Sequence, residues 1–322
     1  MSTELPFDPF PFLTSSHRQT IMGSFPWRRR VKSKTHFVDL PDGDQLAIEI
    51  SAPKNWTDGD LMVVLVHGLC GSHNSPYLVR LAKKLLKLGV STVRVNLRGC
   101  GSGRGKAKNI YHSGRSEDIL YALDYVKNLA PKSPRTLMGF SLGGNLVLKL
   151  AGELGPTASD YIEKVIALSP PADLYSSIEL IGLEENRFYE RYFLRLLKAD
   201  VKYREKIFPD IPKTVFPNNM SFMDFDEFYT APRCGFKSAM DYYERSSSVW
   251  LIPEIEIPCY VLFSEDDPII SSTCLDGIKL PENVLVFKTK HGGHLGFLGS
   301  PLKGRFHWMD DTLMEWIFTE ED

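Results

Sequence analysis

From residue 35 onward the chain switches between two hydrophobic periods. Runs that are apolar almost throughout, at 61–66, 91–97, 135–140 and 164–168, read as short strands buried on both faces. Between them, 77–88, 115–129 and 142–153 place an apolar residue every three or four positions, the period of an amphipathic helix. The first of these helices stops at Gly89, a residue free to adopt the positive φ that closes a last turn. Upstream, the alternating runs 35–40 and 45–51 flank Asp42-Gly43 and predict a hairpin.

The alternation breaks at Pro170-Pro171. Roughly eighty residues then pass before the next clear strand, too many for a simple connection. Within them 185–197 and 238–243 are helical and 208–219 is irregular, so the segment is expected to form a lid. Strand runs at 259–264 and 283–288 and a helix at 308–318 complete the chain. The pattern predicts an α/β fold: a mostly parallel eight-stranded sheet with helices on both faces and a helical lid insertion. The stretch from Leu5 to Trp27, rich in Pro and Phe, reads as an extended arm without regular structure, packed on the body. The expected division is an arm at 1–34, a core in two parts at 35–172 and 258–322, and a lid at 173–257.

Bulk properties narrow the function classes. The 322 residues are 43% hydrophobic and 24% charged, an ordinary globular composition. A net charge of −2 gives no field to recruit nucleic acid. The basic run Arg28-Arg29-Arg30-Val31-Lys32 reads as a solvated strip. Five scattered Cys with no C-x-x-C pair suggest no metal site and suit a reducing compartment. No signal peptide or spanning apolar run is visible, so a cytoplasmic location without an integral membrane segment is expected.

The candidate chemistry centres on Gly139-Phe-Ser141-Leu-Gly143, a G-x-S-x-G between a strand run and a helix run. That context suits a nucleophile elbow, a strained turn that lifts the Ser hydroxyl clear of the sheet. Gly139 and Gly143 leave room where a Cβ would collide across the turn. Ser needs a base, and the base needs a carboxylate to fix its tautomer. Both follow Ser141 at strand ends: Asp267 in Ser-Glu-Asp-Asp-Pro, and His294 in His-Gly-Gly-His-Leu-Gly-Phe. Asp266 and His291 are close rivals; Asp267 is preferred beside Pro268, and His294 between Gly293 and Gly296. The tetrahedral oxyanion needs donors, for which the N–H groups of Leu142 and of Leu69, in the His67-Gly68-Leu69 turn, are the candidates. His67 and His112 read as structural, Ser113 as a cap for the helix that follows, and Arg98 as a residue at the site's rim. The glycines of 96–105 lack the Gly-Lys-Ser/Thr of a phosphate loop, and no cofactor is expected.

Several longer motifs accompany this constellation: His17-Arg-Gln-Thr20, His67-Gly-Leu-Cys-Gly-Ser-His-Asn-Ser-Pro-Tyr77, Asn96-Leu-Arg-Gly-Cys100 and Tyr111-His-Ser-Gly114. Gly139–Asn145, Phe225-Asp-Glu-Phe-Tyr-Thr-Ala-Pro232 with Gly235-Phe236, Asp241-Tyr-Tyr243, Asp266-Asp-Pro268 and Gly292-Gly-His-Leu-Gly-Phe297 continue the series. With them the chain resembles the YheT-like group of the α/β-hydrolase superfamily, which includes the animal α/β-hydrolase-domain proteins 1 and 3. The resemblance implies the α/β-hydrolase fold and a Ser141–Asp267–His294 triad. It also implies hydrolysis of carboxylic esters, from short- and medium-chain acyl esters to acylglycerols and phospholipids. Two departures stand out: Cys234 stands where His is expected before Gly-Phe, and the animal members' N-terminal anchor is missing. The expected partner is a small acyl ester. An acyltransferase on the same triad and an inactive ligand-binding protein are the alternatives. Substrate-binding residues are not fixed by the sequence: Phe188, Tyr192, Phe193, Phe225 and Tyr229 either build the lid's own core or face an acyl chain.

Overall fold

The computed structural model describes residues 2–25, 30–301 and 304–319. Among them, nine strands form one sheet: β1 (Thr3–Glu4), β2 (Lys34–Asp39), β3 (Gln45–Ser51), β4 (Met62–Val66), β5 (Ser91–Asn96), β6 (Arg135–Phe140), β7 (Lys164–Leu168), β8 (Cys259–Ser264) and β9 (Val284–Thr289). Their order is β1-β9-β8-β7-β6-β4-β5-β3-β2. Only the β2–β3 and β3–β5 pairings are antiparallel. The hairpin turns at Gly43, whose φ is +85°. The ninth strand, β1, pairs with β9 through two residues, Thr3 with Phe287 and Glu4 with Lys288. Two residues carry no periodicity, which is why eight strand runs are visible in the sequence.

The central strands are buried on both faces, and successive side chains enter different cores. Met62, Val64 and Val66 of β4 join the larger cluster, with Ile119, Leu123 and Val126 of α3 (Glu117–Leu129) and Leu146 and Val147 of α4 (Leu142–Leu154). Val63 and Leu65 face the other side. There they meet Leu78, Leu81 and Leu85 of α2 (Pro76–Lys87) and Leu313 and Trp316 of α10 (Trp308–Phe318). Each fully buried side chain of this size contributes about 1.5–3 kcal/mol.

The N-terminal segment corrects one expectation. Between Pro11 and Pro26 the segment has no proline, and this stretch forms α1 (Ser16–Gly23). Of the basic run, Arg28 and Arg29 lie outside the described residues, and Arg30 and Lys32 are exposed.

Between β7 and β8 the chain builds α5 (Leu174–Ile181), α6 (Arg187–Ile207), α7 (Phe222–Phe225), α8 (Ala231–Cys234) and α9 (Ala239–Ser246), with a π-helical turn at Asp226–Thr230. These helices have small cores of their own, one around Leu194, Val201, Phe225 and Tyr229, another around Leu174, Tyr242 and Tyr243. Arg204 of α6 fastens them to the loop after β5 by donating to the carbonyls of Arg98 (2.8 Å), Ala107 (2.7 Å) and Asn109 (2.8 Å). Among the described residues no helix is long and apolar enough to cross a membrane.

Candidate active site

Ser141 occupies the turn between β6 and α4 with φ 53° and ψ −124°. A residue with a side chain rarely adopts this region, and it persists only where the surroundings impose it. Here the Ser141 N–H donates to Leu168 O (2.8 Å), and the Ser141 carbonyl accepts from the N–H groups of Gly144 (2.7 Å) and Asn145 (3.2 Å). A Cβ on Gly139 would stand 2.1 Å from the Gly143 carbonyl oxygen, and one on Gly143 would stand 2.5 Å from that of Val66. Gly143 is therefore demanded by the neighbouring strand β4 and not by the turn alone.

The loops after β8 and β9 bring two groups to this hydroxyl. His294 Nε2 lies 2.9 Å from Ser141 Oγ, and His294 Nδ1 lies 2.8 Å from Asp267 Oδ2. The second oxygen of Asp267 accepts from the N–H groups of Ile269 (2.8 Å) and Ile270 (3.0 Å). The Asp267 side chain is 2% exposed. In this arrangement an imidazole can take the hydroxyl proton while the carboxylate fixes its tautomer. Asp266 is engaged elsewhere: its Oδ1 accepts from Ser264 Oγ (2.5 Å) and from the Gly293 N–H (2.8 Å). His291 is half-exposed, 3.5 Å from Asp266.

Of the four amides at 68–71, three are engaged. Gly68 N–H donates to the Tyr77 hydroxyl (3.0 Å), Cys70 N–H to the Tyr111 hydroxyl (2.9 Å), and Gly71 N–H to Gly68 O (3.0 Å). The Leu69 N–H donates to no described residue, and neither does that of Leu142, the first residue of α4. Both residues line the same cleft as Ser141 and His294. Tyr77 and Tyr111, which fix this loop, stand inside the sequence motifs but reveal their role only in three dimensions.

Other candidates are settled by burial. His67 is fully buried, with Nε2 accepting from the Leu97 N–H (3.1 Å) and Nδ1 2.7 Å from Gly68 O. Burial pushes its pKa down to about 4. Arg98, expected at the rim, is instead enclosed by Asp118, Asp44 and Asp42 at 2.5–2.8 Å. Ser113 does not cap α3, which starts after Ser116; its hydroxyl accepts from Tyr242 (3.0 Å). Asn145 fastens α4 to the loop before α3 through Ser113 O (2.8 Å) and to the inserted segment through Ser246 O (2.9 Å) and the Ser248 N–H (2.9 Å).

The cleft above Ser141 is largely apolar, walled by Leu142 and Ile269 from the core and by Leu174, Ile178, Phe193, Phe225 and Tyr229 from the inserted helices. Phe188 and Tyr192 are not in its lining, and each is about half exposed. Asp226, which the sequence reading missed, does line the cleft, on the π-helical turn. It accepts from the Tyr243 hydroxyl (2.9 Å), and burial pushes its carboxyl up to about 6. Its only sequence signal was its place in the Phe225–Pro232 motif. Among the described residues no group of three or more His, Cys, Asp or Glu could hold a metal ion.

A family model described as alpha/beta hydrolase fold matches residues 62–223. The chain belongs to the α/β-hydrolase family. It is 29% identical over 328 residues to the putative esterase YheT of Escherichia coli (strain K12), an alignment covering 99% of this chain and 94% of that protein. It is 29% identical over 253 residues to a monoacylglycerol lipase of Saccharomyces cerevisiae, covering 76% of this chain and 56% of the lipase. Among solved α/β-hydrolase structures, Est1E from Butyrivibrio proteoclasticus with bound ferulic acid superposes with a TM-score of 0.56 at 17% identity. That match covers 88% of this chain and 97% of Est1E.

Proposed function

We propose that this protein is a serine hydrolase of carboxylic esters, acting on short- to medium-chain acyl esters and on acylglycerols or phospholipids. The observation that carries the reading is the unbroken hydrogen-bond line from Ser141 Oγ through His294 to Asp267, at 2.9 and 2.8 Å, under an apolar cleft. Relatives named as an esterase and a monoacylglycerol lipase support ester chemistry.

Ser141 Oγ attacks the acyl carbonyl carbon while its proton passes to His294 Nε2. Asp267 holds the Nδ1–H and stabilises the imidazolium. The oxyanion is met by the N–H groups of Leu69 and Leu142, two residues that line the cleft with Ser141. Collapse breaks the bond to the alcohol oxygen, which leaves with the proton from His294. A water then enters, gives its proton to the same imidazole, and attacks the acyl-enzyme. The acid is released and Ser141 regains its proton.

The test is turnover of p-nitrophenyl esters of increasing chain length by wild type and Ser141→Ala, with labelling by a fluorophosphonate probe. The reading requires that Ser141→Ala abolish both. Adding a competing alcohol separates hydrolysis from acyl transfer: hydrolysis predicts free acid as the main product.

A further inference from the structure

We propose that helix α1 positions the general base: Thr20 fixes the backbone of His294, and His17 and Tyr189 tie that anchor to α6. The proposal rests on the serine-hydrolase reading of the site, because it assigns a positioning role toward His294.

The His294 N–H donates to Thr20 Oγ1 (2.8 Å), whose own proton goes to Ser16 O (2.8 Å). A hydroxyl has one donor and two acceptor positions. Thr20 thus spends its donor inside α1 and presents an acceptor to the histidine. One residue earlier, the wholly buried Gln19 grips the far end of the same loop. Its side-chain amide donates to Leu298 O (3.0 Å) and Leu13 O (2.7 Å), and its oxygen accepts from the Leu298 N–H (2.7 Å).

The loop needs this grip. Gly293, Leu295 and Phe297 have φ of +54°, +59° and +44°. Positive φ at Leu and Phe persists only where outside contacts over-determine it. The fit leaves no slack: a Cβ on Gly293 would stand 2.4 Å from Ser16 O, one on Gly296 2.5 Å from Gln19 O, and one on Gly23 2.6 Å from Gly296 Cα.

The other side of α1 meets the inserted helices. His17 Nδ1 lies 3.1 Å from the Tyr189 hydroxyl with the rings stacked, so the helix that carries Thr20 is tied to α6. Tyr189 and Phe193 sit one turn apart on α6, and Phe193 lines the cleft. One network therefore joins the wall of the cleft to the backbone of the base.

Thr20→Val keeps the shape and removes the acceptor. Misplacing the imidazole by an ångström can cost about 100-fold, so kcat should fall about 10–100-fold with KM within about twofold. Fluorophosphonate labelling should slow in parallel, and Thr20→Ser should restore most of both. A readout that does not depend on turnover is the downfield proton resonance of the His294–Asp267 hydrogen bond. It should be altered in Thr20→Val and kept in Thr20→Ser. A folded Thr20→Val with wild-type kcat and an unchanged resonance would overturn the proposal. Tyr189→Phe deletes one hydroxyl of the network and decides the matter if Thr20→Val does not fold. A reduced kcat supports the proposal, and wild-type kcat with an unchanged resonance overturns it. Wild-type protein that neither turns over esters nor labels at Ser141 would overturn the hydrolase reading instead, and the resonance alone would then judge Thr20.

Discussion

The end of the sheet and the helices inserted after β7 each bury a carboxyl group beside the cleft, and they treat it differently. Asp267 receives three hydrogen bonds, from two backbone amides and His294, all from segments anchored on β8 and β9. Asp226 meets neutral hydroxyl groups on a π-helical turn, and burial pushes its pKa up to about 6. The first site holds its carboxyl group in one orientation. The second holds an ionisable group that its surroundings disfavour as an anion. The carboxyl at the strand ends is held in one position, while the inserted helices supply a mostly apolar wall that also carries Ser177, Asp200, Asp226 and Thr230.

The largest effects should separate reaction from scaffold. Ser141→Ala should lower ester turnover about a million-fold while leaving thermal melting near wild type. Asp267→Asn should lower kcat about 10⁴-fold, because the imidazole loses the partner that fixes its tautomer. Asp266→Asn loosens the ties to Gly293, Ser264 and His291, none of them to Ser141 or His294, and should cost no more than about tenfold. Steady-state kinetics on one activated ester ranks the three. The reverse order for the two acids would assign the role to Asp266.

The same contrast governs what could be read from the sequence. Around Ser141 the signals are local. Two glycines, a strand run and a helix run mark the turn within a few residues, even though part of the demand on Gly143 comes from β4. Asp267 and His294, which the fold brings to Ser141, were legible through their order and their strand ends, and Leu69 and Leu142 were legible only as residues near Ser141. In the inserted segment α5, α7 and α8 have four to eight residues each, too short for a helical period to stand out. Arg98 was misplaced because its partners come from α3 (Asp118) and from the loop between β2 and β3 (Asp42 and Asp44). Asp226 carried no chemical signal, since its unusual environment is made by Tyr243 and by the fold around it.

Asp226→Asn sharpens the comparison through stability. The pKa of this carboxyl rises from 3.8 to about 6 on folding. The folded state therefore binds more protons than the unfolded state between those values. The associated stability is full below pH 3.8 and is lost as pH rises through about 6. Above pH 6 the ionised carboxylate costs about 3 kcal/mol relative to a neutral group. Asparagine keeps an acceptor for Tyr243 and cannot ionise. The variant should be more stable than wild type at pH 7.5 and gain less at pH 5, as measured by urea midpoints. A gain that does not depend on pH would place the titration elsewhere.

The smallest effect tests whether the wall selects substrates. Phe193 lines the cleft, whereas its neighbour Tyr192 is 49% exposed and does not. Removing one aromatic wall from an apolar pocket is worth about 1–3 kcal/mol for a substrate that reaches it, and close to nothing for one that does not. Phe193→Ala should thus lower kcat/KM for an octanoyl ester about tenfold and leave an acetyl ester near wild type. Tyr192→Ala should leave the ratio of the two esters unchanged. Equal losses on both esters in Phe193→Ala would mean that α6 acts on the position of His294 and not on the acyl chain. That pattern would move Phe193 from the selective wall to the network that runs through Tyr189 and Thr20.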